Sequence, residues 1–406
     1  MAASSLPLVT VVTPSYNQGR FIRATIESVL SQGYPNLEYI IMDGASTDET
    51  AEVAAEYAER LTFISEKDRG QSHAINKGFA MARGEFVAWL NSDDIFLPGA
   101  VERAVAALRE HPEAGAVYGD GYQIDIDGNV ISKFAVTQKF DLWKLLYLSD
   151  YILQQTVFFR RSVFDTVGWV DEGLHYGMDW DILMRIGLEC SIVYIPADMG
   201  AIREYATAKT AAGGTKRVHE LVAIMRRHTG HPFPPGAIAY GLPTYEKLWN
   251  QRIETLFPAS MNRVKRKLQS YVARVAYRIV GQTLRYSQGL FSDGWASTRA
   301  RFVFPPARAR NLELTVHLPG WAPIERQTIT FRAGGKVFAR ESFERGEFTI
   351  PVALPRRLWS KPVHVTVDAE KFFRTPASYD GRRDPRKLCY LLKDIGYAKP
   401  RRGPFG

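Results

Sequence analysis

One short stretch constrains this chain more than any other: Val87-Ala88-Trp89-Leu90-Asn91-Ser92-Asp93-Asp94-Ile95-Phe96-Leu97-Pro98. The apolar run 86–90 reads as a buried strand. It stops at two adjacent carboxylates, Asp93 and Asp94, and Pro98, Gly99 and the periodic run 100–108 then open a helix. That order places both carboxylates at the carboxyl end of a buried strand, where open α/β sheets bind ligands. Two neighbouring carboxylates repel each other unless something positive lies between them. A hard divalent cation carrying phosphates answers this, because Mg²⁺ takes one or two carboxylates and leaves its other positions to substrate oxygens. A solvated acidic turn is the plain alternative.

The chain leading to this stretch alternates strands and helices. Residues 8–13 are apolar and β-branched, and a polar turn from Pro14 to Gly19 follows. The next helix runs to Leu30 and carries Phe21, Ile22, Ile26, Val29 and Leu30 on one face. Strands are predicted over 37–42 and 61–65, and a helix over 71–82. Ser46 and Glu49 have the spacing of a capping box for a helix over 47–59. The alternation predicts a parallel, doubly wound sheet. Three strands end in acidic loops, at Asp43, at Glu66 and Asp68, and at Asp93 and Asp94. Any one of them is explained by a turn; three on one sheet edge describe a site.

Past residue 110 the pattern changes. Segments 117–126 and 130–136 flank Asp127-Gly128-Asn129 and read as a hairpin. A helix is expected over 140–148, a strand over 154–159 and a short helix over 161–167. Met178-Asp179-Trp180-Asp181 then opens an amphipathic helix. A carboxylate there complements the helix dipole. Asp181 fits that role, whereas Asp179 stands at the helix mouth and is the better candidate for chemistry.

Taken together, these segments resemble family 2 glycosyltransferases over roughly residues 7–210. The resemblance rests on Thr13-Pro14-Ser15-Tyr16-Asn17, on Asp43-Gly44-Ala45-Ser46-Thr47-Asp48, and on Asp68-Arg69-Gly70-Gln71 with Ala74-Ile75-Asn76-Lys77-Gly78. It continues with Asn91-Ser92-Asp93-Asp94 and with Met178-Asp179-Trp180-Asp181. It implies a GT-A-type α/β fold with a mixed sheet, and an inverting, non-processive transfer from a nucleotide-sugar donor to a glycan or lipid-linked glycan. The processive Gln-x-x-Arg-Trp signature is absent. Thr13 and Asp43 would hold the nucleotide base with Asp68 near it, and Pro14, Tyr16 and Gln71 belong to the same donor-binding motifs. Asp93 would contact the ribose. Asp94, beside Asp93, would bind Mg²⁺ or Mn²⁺, and Asp179 would be the catalytic base. The family often has Asp at position 91, Glu at 178 and Arg at 75; this chain has Asn91, Met178 and Ile75. Pyrophosphate contacts must then come from elsewhere; Lys77 or Lys209 could supply them, and a solvated lysine is the plain alternative for each.

Composition sets outer bounds. The chain has 406 residues, a formal net charge of +9 and two cysteines far apart, Cys190 and Cys389. No disulfide framework is implied. The charge permits an anionic partner without choosing among nucleic acid, lipid headgroups and phosphorylated substrates; the resemblance favours the last and no nucleic acid. The N-terminus lacks the pattern of a signal peptide, and no apolar run approaches the span of a bilayer. The expected location is cytoplasmic, with a peripheral position on the inner face of the plasma membrane as the alternative.

The expected domains are 1–240 catalytic, 241–292 a helical connector, 293–376 a small β-sandwich, and 377–406 a helix with a basic tail. The stretch 211–244 reads as a loose connector around short helical patches. Within 261–285, Met261, Val264, Leu268, Val272, Val275 and Ile279 recur at helical spacing among Arg and Lys, with no Asp or Glu. A packing helix with a solvated basic face and a helix docked on an anionic membrane surface both fit. The sandwich resembles carbohydrate-binding modules, with Trp295, Trp321 and Trp359 either stacking on sugars or filling the core. Asp384-Pro385 has the pattern of a helix start. A nucleotidyltransferase and a catalytically silent glycan-binding scaffold are the competing functions.

Overall fold

A computed structural model describes residues 6–205, 208–209, 213–256, 261–286, 288–290, 295–304, 311–320, 322–358, 362–373 and 388–397. The chain forms two compact units, one of residues 1–140 and 150–228, the other of 141–149 and 229–406. Residue 240 lies inside a helix, Gly236–Leu256.

The first unit is built on a nine-stranded mixed sheet. Its elements in order are β1 (Val9–Ser15), α1 (Gly19–Leu30), β2 (Leu37–Asp43), α2 (Thr50–Ala55), β3 (Thr62–Ser65), α3 (Gln71–Met81), β4 (Phe86–Trp89), β5 (Ile95–Phe96), α4 (Ala100–Glu110), β6 (Ala114–Ile124) and β7 (Val130–Lys133). After α5 (Leu142–Tyr147), which belongs to the second unit, come β8 (Phe158–Arg160), α6 (Phe164–Val167), α7 (Met178–Glu189) and β9 (Ser191–Arg203). A final helix, Gly214–Thr229, completes the unit almost entirely. The sheet order is β3-β2-β1-β4-β8-β6-β9-β5, with β7 on β6. Strands β1 to β4 pair in parallel, β8 runs against β4 and β6, and β9 lies parallel to β6. This is the GT-A-type mixed sheet.

Strands β1 and β4 read as apolar runs because they lie inside the sheet, and every residue of both is buried. Ile22, Ile26 and Val29 of α1 close over Val9, Val11, Ile41, Phe86 and Ala88. Pro14 has no N–H to give a ladder, and it sits where none is missed. The pairing of β1 with β4 ends at Val12 and Trp89, so Pro14 projects beyond β4 into the loop region.

Four local expectations change. The helix after β2 covers only Thr50–Ala55, and Ser46 does not cap it. Ser46 instead bonds to Asp43 and accepts the Asn17 N–H, while Asp48 takes the Thr50 N–H. The predicted strand over 154–159 begins as a 3₁₀ turn, Gln154–Thr156, and only Phe158–Arg160 is a strand. The loose connector is a regular helix, Gly214–Thr229, with Val218, Leu221, Ile224 and Met225 buried.

The fourth correction lies in the second unit. Its β-sandwich has sheets β10-β17-β12-β15 and β11-β16-β13-β14. The strands are β10 (Trp295–Ala296), β11 (Arg299–Phe304), β12 (Asn311–Leu318), β13 (Arg326–Ala333), β14 (Lys336–Glu344), β15 (Gly346–Ala353), β16 (Val363–Ala369) and β17 (Tyr390–Tyr397). The expected C-terminal helix is replaced, over Tyr390–Tyr397, by a strand pairing with β12. Leu388, Cys389 and Tyr390 enter the sandwich core with Leu314, Val316, Phe331 and Val365. Gly334 and Gly335, both at positive φ, turn the hairpin between β13 and β14. Trp295 stacks edge-on against Phe373, 5.8 Å between ring centres, at the edge of that core. Trp321, Trp359, Asp384-Pro385 and the basic tail lie outside the described residues.

Candidate active site

The loop leaving β4 turns both carboxylates inward. Asp94 is 2% exposed. Its Oδ1 accepts the Arg203 backbone N–H at 2.9 Å, and its Oδ2 accepts the side-chain amides of Gln155 at 2.6 Å and Asn91 at 3.0 Å. All three donors are neutral. Burial, with the charge of Asp93 added, pushes the Asp94 carboxyl up to about 8 against those N–H groups. Asp93 is half-buried, and its Oδ2 accepts the Tyr205 hydroxyl at 2.8 Å. Burial raises its pKa too, opposed by Tyr205 and the charge of Arg203. The Arg203 guanidinium is engaged by backbone carbonyls of Asp93, Asp125 and Ile126 and lies over the Phe21 ring.

This is a carboxylate pair short of countercharge, built from hard oxygen donors, and it fits Mg²⁺ or Mn²⁺. Among the described residues no three His, Cys, Asp or Glu side chains gather to hold a metal by themselves. A cation held by Asp94 and Asp93 would therefore complete its shell with substrate oxygens and water.

A line of hydrogen bonds leaves this pair. Asn91 receives the Gln71 amide at 2.7 Å, and the Gln71 oxygen receives Lys209 Nζ at 2.9 Å. The charge of Lys209 acts on Asp179. Asp179 opens α7, where its Oδ1 accepts the Trp180 N–H at 2.9 Å. Burial raises its pKa, and that N–H together with Arg217 and Lys209 opposes the rise. The helix dipole thus does not act alone on Asp179. Asp150 lies in the same field; burial first and the charge of Asp179 second lift its carboxyl well above the usual range.

At the other end of the sheet edge stand the residues expected to hold the nucleotide. Thr13 is fully buried, its hydroxyl 3.0 Å from Tyr39 Oη. Asp43 accepts the Ser46 N–H at 2.9 Å and the Ser65 hydroxyl at 2.6 Å, so much of its hydrogen-bonding capacity shapes the loop. Tyr16 is exposed, and Tyr16 and Asp68 converge over Gly44, where a Cβ would lie 2.9 Å from Asp68 Oδ2 and 3.3 Å from the Tyr16 ring. Lys77 pairs with Glu66 at 2.6 Å, so of the two candidate lysines it is Lys209 that reaches Gln71.

Residues 10–168 match the profile of glycosyl transferase family 2. A PGL/p-HBAD biosynthesis glycosyltransferase of Mycobacterium bovis BCG is 30% identical over 184 residues, 44% of this chain and 69% of the relative. The chain belongs to glycosyl transferase family 2. An uncharacterized glycosyltransferase of Rickettsia prowazekii is 24% identical over 277 residues, 66% of this chain and 79% of its own. Among solved structures, S. aureus TarS 1–349 in complex with UDP-GlcNAc aligns over 70% of this chain and 93% of its own, at 16% identity and a TM-score of 0.46. A mannosyltransferase from Pyrobaculum calidifontis in complex with GDP-Man and Mn2+ covers 69% and 88%, at 19% identity and a TM-score of 0.45.

This family 2 glycosyltransferase also uses residues that sequence reading passed over. Gln155, Arg203 and Tyr205 hold the carboxylate pair, and Asp150 shares the field of Asp179. Glu220, on the helix Gly214–Thr229, accepts the consecutive N–H groups of His175, Tyr176 and Gly177 at 3.0, 2.6 and 2.9 Å, fixing the entry to α7. One signal was available: Gln154-Gln155 is a polar pair set between apolar runs, the pattern of buried amides with assigned partners. Asp181, for which the sequence suggests a helix-dipole role, is engaged in an ion cluster. It is 1% exposed and bonded to His228 Nε2 at 2.7 Å and Arg185 Nε at 2.8 Å.

Proposed function

We propose that this glycosyltransferase takes its sugar from a nucleotide diphosphate sugar and inverts the anomeric centre in one displacement. The observation that carries the reading is the hydrogen-bonded line Asp94–Asn91–Gln71–Lys209, whose last member acts electrostatically on Asp179. It ties a buried carboxylate pair suited to a cation to a carboxylate suited to a base.

On this reading Thr13, Pro14, Tyr16, Asp43 and Asp68 surround the base, Asp93 takes the ribose, and Gln71 with Lys209 or Lys77 faces the pyrophosphate. Asp94 and Asp93 hold Mg²⁺ or Mn²⁺, which when bound neutralises charge on the departing diphosphate. Asp179 accepts the proton of the acceptor hydroxyl as its oxygen bonds to the anomeric carbon. The bond from that carbon to the diphosphate breaks on the opposite face, and the electron pair leaves with the nucleotide. The relative named for PGL/p-HBAD biosynthesis supports a glycan or lipid-linked acceptor in glycoconjugate or surface polysaccharide assembly. Donors of this kind are consistent with action on the cytoplasmic side. No helix among the described residues is long and apolar enough to cross a membrane.

The test is nucleotide release from a panel of UDP- and GDP-sugars, with and without EDTA. The reading expects release from at least one donor, lost on chelation and restored by Mn²⁺ or Mg²⁺. Turnover indifferent to EDTA contradicts the metal assignment, and no release from any donor contradicts the donor class.

A further inference from the structure

The second unit carries a pair of helices, Gly236–Leu256 and Asn262–Tyr286. Ten of the twenty large apolar side chains that stand exposed among the described residues lie between Phe233 and Ile279. On the first helix Leu248, Trp249 and Leu256 are 41%, 50% and 68% exposed; on the second, Val264, Tyr271 and Val275 are 47%, 64% and 40% exposed. Val264, Leu268, Tyr271 and Val275 follow the i, i+4, i+7, i+11 spacing of a single helical stripe. Arg263, Lys267, Ser270 and Arg274 repeat that spacing one residue earlier. With Arg266 they line an open basic cleft of about 630 Å³.

The third face of this helix is used within the pair. Lys265 donates to Glu254 Oε2 at 2.9 Å, Gln269 donates to Glu254 Oε1 at 2.8 Å, and Ala276 is buried. The helix Asn262–Tyr286 contains no Asp or Glu. It therefore presents an apolar stripe and a basic stripe side by side, both to solvent.

We propose that this helix pair docks the protein on an anionic membrane surface, lying in the interface without crossing it. Apolar side chains of an interfacial helix enter the boundary of the acyl chains, aromatic rings sit at headgroup level, and basic residues meet lipid phosphates. Tyr245 and Trp249 on the first helix and Tyr271 on the second supply exposed rings. A second copy of this chain fits less well, because an isologous contact would set the basic stripe close to its own image. The proposal uses none of the residues assigned to sugar transfer, and its readout does not depend on the donor reading.

The experiment is co-sedimentation of the full chain with vesicles of phosphatidylcholine, with and without phosphatidylglycerol, over a range of salt. Binding should require phosphatidylglycerol and weaken as salt rises. A variant with Arg263→Gln, Arg266→Gln, Lys267→Gln and Arg274→Gln should lose more than about a hundredfold in partitioning. A second variant, Trp249→Ser, Tyr271→Ser and Val275→Ser, should also detach. Both change exposed side chains, and unchanged melting temperatures verify their fold. The proposal is overturned if the wild type stays in the supernatant, or if both variants sediment as it does. It is equally overturned if the wild type, failing to bind vesicles, is a dimer that the apolar variant converts to a monomer.

Discussion

The Gln155 amide nitrogen donates to Asp94 Oδ2 at 2.6 Å, while the oxygen of that same amide is buried and has no partner among the described residues. This arrangement is the one the ionised form of Asp94 requires, the form that prevails above about pH 8. An ionised carboxylate accepts only, so the amide must present its nitrogen and leave its oxygen unused. Once position 94 carries a proton or an amide, a half-turn of Gln155 lets its oxygen accept instead.

That relationship gives a stability prediction for the chelated protein. The Asp94 carboxyl titrates near 8 when folded and near its ordinary 3.8 when unfolded. The unfolded chain thus loses this proton first, and the associated stability is whole below about pH 4 and lost as pH rises through 8. In EDTA the wild type should lose stability against Asp94→Asn across that window, by up to about 1.4 kcal/mol per pH unit. Parallel curves of melting temperature against pH for the two proteins would refute it.

Lys209 makes a second prediction. Its charge holds the Asp179 pKa below the value that burial alone would set. Lys209→Met should therefore move the acid limb of the transfer rate to higher pH, so that activity is lost earlier on acidification. Burial first and the charge of Asp179 second raise the Asp150 carboxyl, whereas the groups that act on Asp179 besides burial are backbone N–H groups, Arg217 and Lys209. Asp150→Asn should then leave that limb nearly where it was. The pH profile of single-turnover transfer decides both.

Asp181 should behave as a structural residue. It is buried between Arg185 and His228, and removing its charge leaves the guanidinium and the imidazole facing an amide. Asp181→Asn should cost about 3 kcal/mol in urea unfolding, with transfer close to normal at low temperature. Burial tends to raise its pKa, but His228 and Arg185 hold it below the ordinary value. Its contribution should thus survive at neutral pH and fade as pH drops below about 4. A variant as stable as wild type would show the ion cluster to be idle.

Gly44 tests the nucleotide end. A methyl group there meets Asp68 and the Tyr16 ring. Gly44→Ala should weaken nucleotide affinity in calorimetry by about tenfold, roughly 1.4 kcal/mol, at an unchanged melting temperature. Full affinity would place the base elsewhere.

Much of this architecture was legible because the strands of the first unit are buried on both faces. Continuous apolar runs such as 86–90 announce such strands, and the acidic residues ending them mark the sheet edge. The partners of Asp94 were not legible. Gln155 and Arg203 lie 61 and 109 residues further along the chain, and only folding brings them to it. No apolar run marks strand β14, because most of its side chains face solvent. The expected C-terminal helix rests on Asp384-Pro385 alone, and the apolar residues Tyr390, Leu391, Leu392 and Ile395 suit either period. Pairing with β12, which sequence cannot show, decides for the strand.

In the proposed mechanism Asp179 takes the proton of the acceptor hydroxyl. Single-turnover transfer by Asp179→Asn, with nucleotide affinity followed by calorimetry, tests it most directly. Transfer should fall by about 10²–10⁴-fold, the usual contribution of a general base, while nucleotide affinity stays at the wild-type level. Transfer at the wild-type rate by Asp179→Asn, with its loss in Asp181→Asn, would contradict the assignment.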